Sequence, residues 1–386
     1  MAAPPGFPPN LLTEPWTTRL AYFQRYTVAH PRLTEAKERL VAAIQNAEPN
    51  SLVLVFGPTG VGKTTLRIRT EQILTEQLRP ELEADRSRIP VVSVEATAPE
   101  SGNFCWRDHF KRLLTEMDEP LIERKRSPET SLARPKSTTP EYRHGVEQAL
   151  RFRRPAAVMI DEAQHLTKMA SGRRLLDQLD VLKSIANRTQ TIHVLYGTYD
   201  LLAFRNLNGQ LSRRSMDVHF PRYRLEAAGD RQIFIGVLRS FGQQLPLPET
   251  PDLAKDWEFL FERSVGCVGI LKQWLARSLS AALRSGETTL KLQHLESQAL
   301  SISQVDKILS ETTEGEMRLT DTEEAISAFR LRLGLPLKEI GPTADGTGLI
   351  TPVLPSTSMH AGRKPGQRRP MRDPIGPPEH LHAAQS

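Results

Sequence analysis

Residues 53–65 read VLVFGPTGVGKTT, an apolar run that stops at a glycine-rich turn and is followed by a lysine and two threonines. Glycines let such a turn curl so that successive backbone N–H groups point inward at an anion. The spacing of Gly57, Gly62, Lys63 and Thr64 is that of a phosphate-binding P-loop. Apolar residues before the turn predict a buried parallel strand, and those after it recur at helical spacing. The stretch therefore predicts a strand, a nucleotide-binding loop and a helix.

This loop predicts ATP and Mg²⁺ as ligands. Lys63 is expected to reach the β- and γ-phosphates, and the hydroxyl of Thr64 is expected to bind Mg²⁺. The helix that starts here adds the positive end of its dipole to the same site. The residues expected to surround the phosphates are Gly57, Pro58, Thr59, Gly60, Val61, Gly62, Lys63, Thr64 and Thr65.

A second motif, AAVMIDE at 156–162, ends an apolar run in two acidic residues. Mg²⁺ needs a second protein anchor beside the threonine, and Asp161 is expected to supply it, through water. Glu162 is expected to act as the general base that polarises the attacking water. An ordinary strand with an acidic, solvated end can have the same sequence pattern, but the P-loop upstream favours the catalytic interpretation.

Four further residues are candidates for a catalytic role. Thr198 ends the next strand, TIHVLYG, and is expected to help position the water, a role called sensor 1. Arg213 and Arg214 precede the last strand and are expected to face the γ-phosphate bound by a neighbouring subunit; the alternative is a solvated basic helix end. Lys272 follows the glycine pair of GCVG and is expected to reach the nucleotide as a second sensor; the alternative is a surface lysine.

Apolar runs and helical patterns alternate from 31 to about 225, which predicts an α/β fold with a central parallel sheet flanked by helices. Within it, 123–141 is polar and predicts a mobile loop. The predicted strands are 52–56, 89–95, 156–160, 191–197 and 217–220.

The flanking segments have other compositions. Residues 1–30 form a proline-rich arm, and amphipathic patterns over 226–332 predict an all-helical lid followed by C-terminal helices. Residues 333–386 are too rich in glycine, proline and charge to pack a core, so we expect a disordered basic tail.

The 386 residues carry a formal net charge of +6 and two cysteines. Two cysteines cannot form a disulfide framework, no signal peptide opens the chain, and no apolar run approaches the length of a membrane span. We therefore expect a cytoplasmic protein. The basic balance is compatible with a polyanion as partner.

Together these motifs resemble the AAA+ ATPases, an α/β core followed by a helical lid. Within that class the chain looks most like the TnsC/TniB group of transposition regulators, over roughly residues 20–285. Many AAA+ lids carry arginine where Lys272 stands, which puts tight coupling of the lid to hydrolysis in doubt. The stretches that carry the resemblance are HPRLTEAKERLVAAI (30–44), GPTGVGKTT (57–65), VMIDEAQHL (158–166), VLYGTYDLL (194–202), LSRRSMDVHFPRY (211–223) and GCVGILKQWL (266–275).

The resemblance implies an ATPase that assembles as a ring or helical filament on duplex DNA. Such proteins link a target-selecting protein of the TniQ type to the transposase, and hydrolysis disassembles the filament or limits where insertion occurs. DNA contact would come from lysines and arginines that bind phosphates without reading sequence, although each of these residues can equally belong to a solvated helix face. The candidates are Arg107, Lys111, Arg112, Lys168, Arg173 and Arg174.

Two other functions share such a core. A replication initiator or helicase loader usually adds a DNA-binding domain, and residues 286–310 are short for a winged helix. A signalling or secretion-associated NTPase would act through protein partners alone. The tail allows two roles: apolar pairs at 349–350 and 353–354 suit docking onto the transposase, whereas five basic residues at 363–372 suit DNA capture.

Overall fold

Five parallel strands form the central sheet of the protein. In this computed structural model the described residues are 6–99, 104–122, 138–167, 173–205 and 215–336. The sheet order is β2-β3-β4-β1-β5, and every neighbouring pair is parallel. The strands are β1 (Leu52–Phe56), β2 (Val91–Glu95), β3 (Ala157–Asp161), β4 (Ile192–Gly197) and β5 (Ser215–His219).

The five strands lie where the sequence predicts them, within two residues at each end, and the predicted parallel α/β fold is confirmed. The order of the strands also explains how the motifs meet. β4 lies between β3 and β1, so the segments that follow these three strands leave the same edge of the sheet. Ligands of open parallel sheets bind at this carboxyl edge.

Helices cover both faces of the sheet and continue beyond it. Those up to residue 205 are α1 (Trp16–Arg25), α2 (Pro31–Asn46), α3 (Lys63–Gln77), α4 (Arg79–Ala84), α5 (Trp106–Glu116), α6 (Thr139–Arg153), α7 (Arg173–Thr189) and α8 (Leu202–Arg205). Those beyond β5 are α9 (Asp230–Gln244), α10 (Trp257–Ser264), α11 (Val268–Arg284), α12 (Leu292–Gln298), α13 (Ile302–Met317) and α14 (Glu323–Arg332).

The side chains of β1 alternate between two cores. Leu54 and Phe56 join a cluster with residues of α5, α6 and α7, whereas Val53 and Val55 join a cluster with residues of α2 and α3. This is the two-residue period of a strand buried on both faces. The sheet is therefore fixed from both sides, which holds the P-loop at the end of β1 in place.

α6 begins inside the segment predicted to be a loop at 123–141. Thr138 and Glu141 form a capping box, in which the Thr138 N–H donates to Glu141 Oε2 at 2.5 Å. Such a box satisfies backbone donors at a helix start, so the helix begins at Thr139. The remainder of the predicted loop, 123–137, lies outside the described residues.

The helical region after β5 has its own core, and the N-terminal segment contributes to it. Phe23 of α1 is fully buried there and meets Phe241 edge-on at 6.0 Å between ring centroids. Arg19 Nε donates to the carbonyl of Pro246 at 2.8 Å. The aromatic part of the predicted proline-rich arm is thus built into the helical core.

α13 packs on the segment that follows β4. Gly315 lies so close to the Tyr199 ring that a β-carbon there would meet it at 2.2 Å. The next residue of α13, Glu316, forms an ion pair with Arg222 through two hydrogen bonds of 3.1 and 3.2 Å. The two side chains are only 12% and 11% exposed. These contacts fix α13 beside the carboxyl edge of β4.

Contacts divide the chain into two units, 1–321 and 322–386. In the second, α14 is capped by Thr322, whose hydroxyl accepts the Ala325 N–H at 3.2 Å, and Ile326 and Phe329 on it are exposed. The tail from 337 onward, including the basic and apolar residues considered for docking, lies outside the described residues. Among the helices that are described, none has the length and apolar character needed to cross a bilayer.

Candidate nucleotide-binding site

The glycine-rich turn joins β1 to α3 as the sequence predicts. Gly62 stands directly before α3 with a φ of 116°, a left-handed conformation that favours glycine. This conformation lets the chain turn sharply into the helix, so that the backbone N–H groups of the first turn are left without helical partners. Such a turn is suited to bind phosphate oxygens.

Lys63 lies buried in the turn, 8% exposed. Its Nζ donates to the carbonyls of Gly57 and Pro58 at 3.0 and 2.9 Å. Burial lowers the pKa of Lys63 to about 8, and the negative potential of Glu162 is the largest influence that opposes the decrease. The ammonium is thus held at the mouth of the loop, where a phosphate can replace the two carbonyls.

Thr64 and Asp161 line one small cavity of about 290 Å³ together with Glu162. Hydroxyl and carboxylate oxygens are ligands that Mg²⁺ prefers, so these residues fit the ion. Mg²⁺ bound to Thr64 and Asp161 would supply positive charge to the phosphate oxygens. Both residues face the same cavity, and their role in binding the metal ion stays a prediction.

Arg67 is a charged residue of this cavity that the sequence reasoning missed. Its Nε donates to Asp161 Oδ2 at 3.2 Å, and its Nη1 contacts Glu71 Oε2 at 3.3 Å. The Glu162 N–H donates to Asp161 Oδ1 at 3.0 Å, so both oxygens of Asp161 are bonded. The signal was present in the sequence, because Arg67 follows Thr64 by three residues and so shares its helix face.

Glu162 directly follows β3 and has a left-handed conformation with a φ of 52°. Its carboxylate accepts a hydrogen bond from Nε2 of Gln164, and Oε1 of Gln164 accepts the Thr198 N–H at 3.3 Å. The two predicted catalytic residues are therefore joined through a glutamine that the sequence analysis did not single out.

Thr198 directly follows β4 and lies in a cleft beside the P-loop. Its hydroxyl donates to Asp200 Oδ2 at 3.1 Å. Thr198 lines a cleft of about 460 Å³ with Pro58 and Thr59 of the P-loop, and α13 supplies the other wall. Thr198 therefore lies near the P-loop, and its role as sensor 1 stays a prediction.

The lid touches the P-loop through main-chain atoms. The Ile270 N–H donates to the carbonyl of Gly60 at 3.0 Å. A β-carbon on Gly269 would lie 2.3 Å from the same oxygen, so only glycine fits at this approach. The first turn of α11 therefore rests directly on the turn that surrounds the phosphates.

Lys272 lies one turn along α11, half-buried, in a cavity of about 900 Å³ that it shares with Thr59, Lys63 and Thr64. Burial lowers the pKa of Lys272, and the nearby positive charge of Arg69 lowers it further. The structure thus brings Lys272 to the predicted nucleotide cavity and does not leave it on an outer surface.

The structure describes the side chains of three of the residues predicted to contact DNA. Arg107 and Lys111 lie against the ring of Tyr142, at 5.6 and 5.5 Å from its centroid. Arg112 pairs with Asp108 at 2.7 Å. Arg213, Arg214 and Lys168 lie outside the described residues, as do the side chains of Arg173 and Arg174.

Residues 46–204 match the sequence profile of a known family, described as the AAA domain. This segment is similar to the AAA domain. The match spans the P-loop, the Asp161–Glu162 pair and Thr198. It supports ATPase activity in general, the class predicted from the motifs.

Several solved structures resemble the chain at low identity. They include the ORC2 protein of Aeropyrum pernix (13% identity, 72% of this chain and 71% of that chain, TM-score 0.48) and the Walker-type ATPase of Pyrococcus abyssi (16%, 79% and 85%, 0.42). Domain III of the replication initiation protein DnaA of Thermotoga maritima is another (15%, 72% and 94%, 0.40). Similarities of this size carry no functional information. Among curated proteins no sequence matches the chain significantly.

Proposed function

We propose that this protein is an ATP-dependent regulator of DNA transposition that assembles on duplex DNA and disassembles on hydrolysis. The observation that carries the ATP-dependent part is the main-chain contact between the lid and the P-loop, at Ile270 and Gly60. The transposition role is supported by the sequence resemblance to the TnsC/TniB group.

Each step of hydrolysis has a residue in this site. Lys63 would leave the carbonyls of Gly57 and Pro58 to bind the phosphates, and Thr64 and Asp161 would hold Mg²⁺, which supplies positive charge to the phosphate oxygens. Glu162 accepts the proton of the attacking water. Thr198 orients that water from the end of β4, and Lys272 binds the nucleotide from the lid.

Assembly follows if the neighbouring subunit completes the site. Arg213 and Arg214 of one copy would bind the γ-phosphate held by the next copy, since arginine neutralises developing charge on a transferred phosphoryl group. Loss of the γ-phosphate then removes a charge-assisted contact and weakens the interface. ATP thereby favours the ring or filament, and hydrolysis releases it.

DNA would be held through its phosphates. The Arg112–Asp108 pair is half-exposed, and such surface pairs contribute at most about 1 kcal/mol, so a DNA phosphate can replace the carboxylate. Arg107, Lys111, Lys168, Arg173 and Arg174 complete the proposed DNA contacts. Residues 333–386 are proposed to dock the transposase, and a TniQ-type protein to select the target.

Two substitutions test this proposal. Lys63→Ala should abolish ATP binding, because it removes the phosphate contact, whereas Glu162→Gln should bind ATP and form long-lived assemblies on duplex DNA. Nucleotide titration, phosphate release and electron microscopy with and without duplex DNA measure these effects. Lys255→Ala, at an exposed position, is the control. Hydrolysis at the wild-type rate by Glu162→Gln would refute the assignment of the base. ATP-dependent assembly that is unchanged by duplex DNA would refute the proposal that the protein assembles on DNA.

A further inference from the structure

Gln164 joins two separate parts of the site through one side chain. It lies in a short 3₁₀ helix, Ala163–Leu166, directly after β3, and it is 5% exposed. Its Nε2 donates to Oε2 of Glu162, two residues earlier. Its Oε1 accepts the main-chain N–H of Thr198, which follows β4, at 3.3 Å. A buried amide therefore spans from the end of one strand to the end of the next.

The neighbours allow only one orientation of this amide. An ionised carboxylate only accepts hydrogen bonds, and a main-chain N–H only donates them. The NH₂ group must then face Glu162 and the carbonyl oxygen must face Thr198. The reverse orientation would place the NH₂ group against the N–H of Thr198 and the carbonyl oxygen against the carboxylate of Glu162. Both polar ends of Gln164 are thus matched to specific partners.

The backbone of β4 leaves room for this side chain. A β-carbon on Gly197 would lie 2.6 Å from Oε1 of Gln164. Any larger residue at 197 would therefore displace the amide from Thr198. The close approach of Gly197 keeps the glutamine oxygen at the N–H it bonds.

We propose that Gln164 is a positioning residue for ATP hydrolysis, which holds the Glu162 carboxylate toward the attacking water and sets it relative to Thr198. The inference rests on the proposed role of Glu162 as the base. A free glutamate side chain samples several rotamers, and a misplaced base loses rate although nucleotide binding is intact. Gln164 fixes the carboxylate by one hydrogen bond and is itself fixed by the other.

Two substitutions separate the two hydrogen bonds. Gln164→Met keeps a similar volume and removes both, so we expect kcat to fall by about tenfold or more, with the Kd for ATP unchanged because Gln164 is not among the phosphate-binding residues. Gln164→Glu keeps an acceptor for Thr198 but places a carboxylate beside Glu162. The two carboxylates repel each other, so Glu162 should leave its position and kcat should fall at least as far as in Gln164→Met, with the Kd for ATP unchanged.

The controls separate this inference from the proposed function. Gln45→Met removes an exposed hydrogen bond to Gln77 and should leave both kcat and the Kd for ATP unchanged. If Glu162→Gln is inactive but Gln164→Met retains full kcat, the positioning role is refuted and the base assignment stands. If Gln164→Glu retains the wild-type kcat, the hydrogen bond to Glu162 does not position the base and the inference is wrong. If Glu162→Gln hydrolyses ATP normally, the proposed base fails, and the role of Gln164 with it.

Discussion

Replacing Gly269 by alanine tests the contact between α11 and the P-loop. The new β-carbon would lie 2.3 Å from the Gly60 carbonyl oxygen, against about 3.4 Å for an ordinary contact. The helix and the loop must therefore separate by about 1 Å, which also stretches the 3.0 Å hydrogen bond from Ile270. The β-carbon is fixed by the backbone of α11 and the oxygen belongs to the main chain of the P-loop, so no side-chain rotation can relieve the clash.

The expected cost follows from these changes. Overpacking costs about 1–3 kcal/mol, the lost hydrogen bond about 1 kcal/mol, and the gain in helix propensity returns about 1 kcal/mol. The contact of α11 with the P-loop is therefore destabilised by a net amount on the order of 1–3 kcal/mol. If ATP binds only with the lid docked, Kd should rise by about 5- to 150-fold.

Titration with a fluorescent ATP analogue measures this Kd, and thermal unfolding reports stability. Gly236→Ala is the matched control, because Gly236 lies within α9 and a β-carbon there meets nothing within 4 Å. It should raise stability by about 0.5–1 kcal/mol and leave Kd unchanged. If Gly269→Ala binds ATP as tightly as the wild type and gains stability like Gly236→Ala, the proposed dependence of binding on this contact is wrong.

Two further predictions concern charge. Burial lowers the pKa of Lys63 from the ordinary lysine value of 10.5 to about 8, and phosphate binding needs the ammonium form. ATP affinity should therefore be constant below about pH 8 and fall by up to about tenfold per pH unit above it. Titrations from pH 7 to 9.5 measure this, and a flat profile would contradict it. Arg222→Met should lower the free energy of unfolding by about 3 kcal/mol, because it leaves the nearly buried Glu316 without the partner that binds it twice. Arg318→Met breaks an exposed ion pair and should lower the free energy of unfolding by less than about 0.5 kcal/mol. Equal losses in chemical denaturation would refute the distinction.

The strands and the motif residues were predictable because their signals are local. A strand buried on both faces reads as an unbroken apolar run, and its end is marked where Asp161 or Thr198 interrupts that run. The P-loop spacing defines its own conformation, so Lys63 and Thr64 could be placed without knowledge of the rest.

The remaining parts of the site depend on contacts between distant residues. Gln164 carries no periodic signal, and its role appears only when β4 lies beside β3. The glycine at 269 is visible in the sequence, but its partner is Gly60, more than 200 positions earlier. The pairing of Arg222 with Glu316, 94 residues apart, likewise needs α13 to fold back on β4.

The attachment of α11 to the P-loop gives that helix the properties of a lever. Its first turn is fastened by main-chain atoms, and its 17 residues extend about 25 Å from that point. A displacement of about 0.5 Å across a first turn of about 5.4 Å tilts the axis by about 5° and moves the far end by about 2 Å. A small adjustment of the loop around a phosphate would thus be enlarged about fourfold at Arg284, an exposed residue at the end of α11.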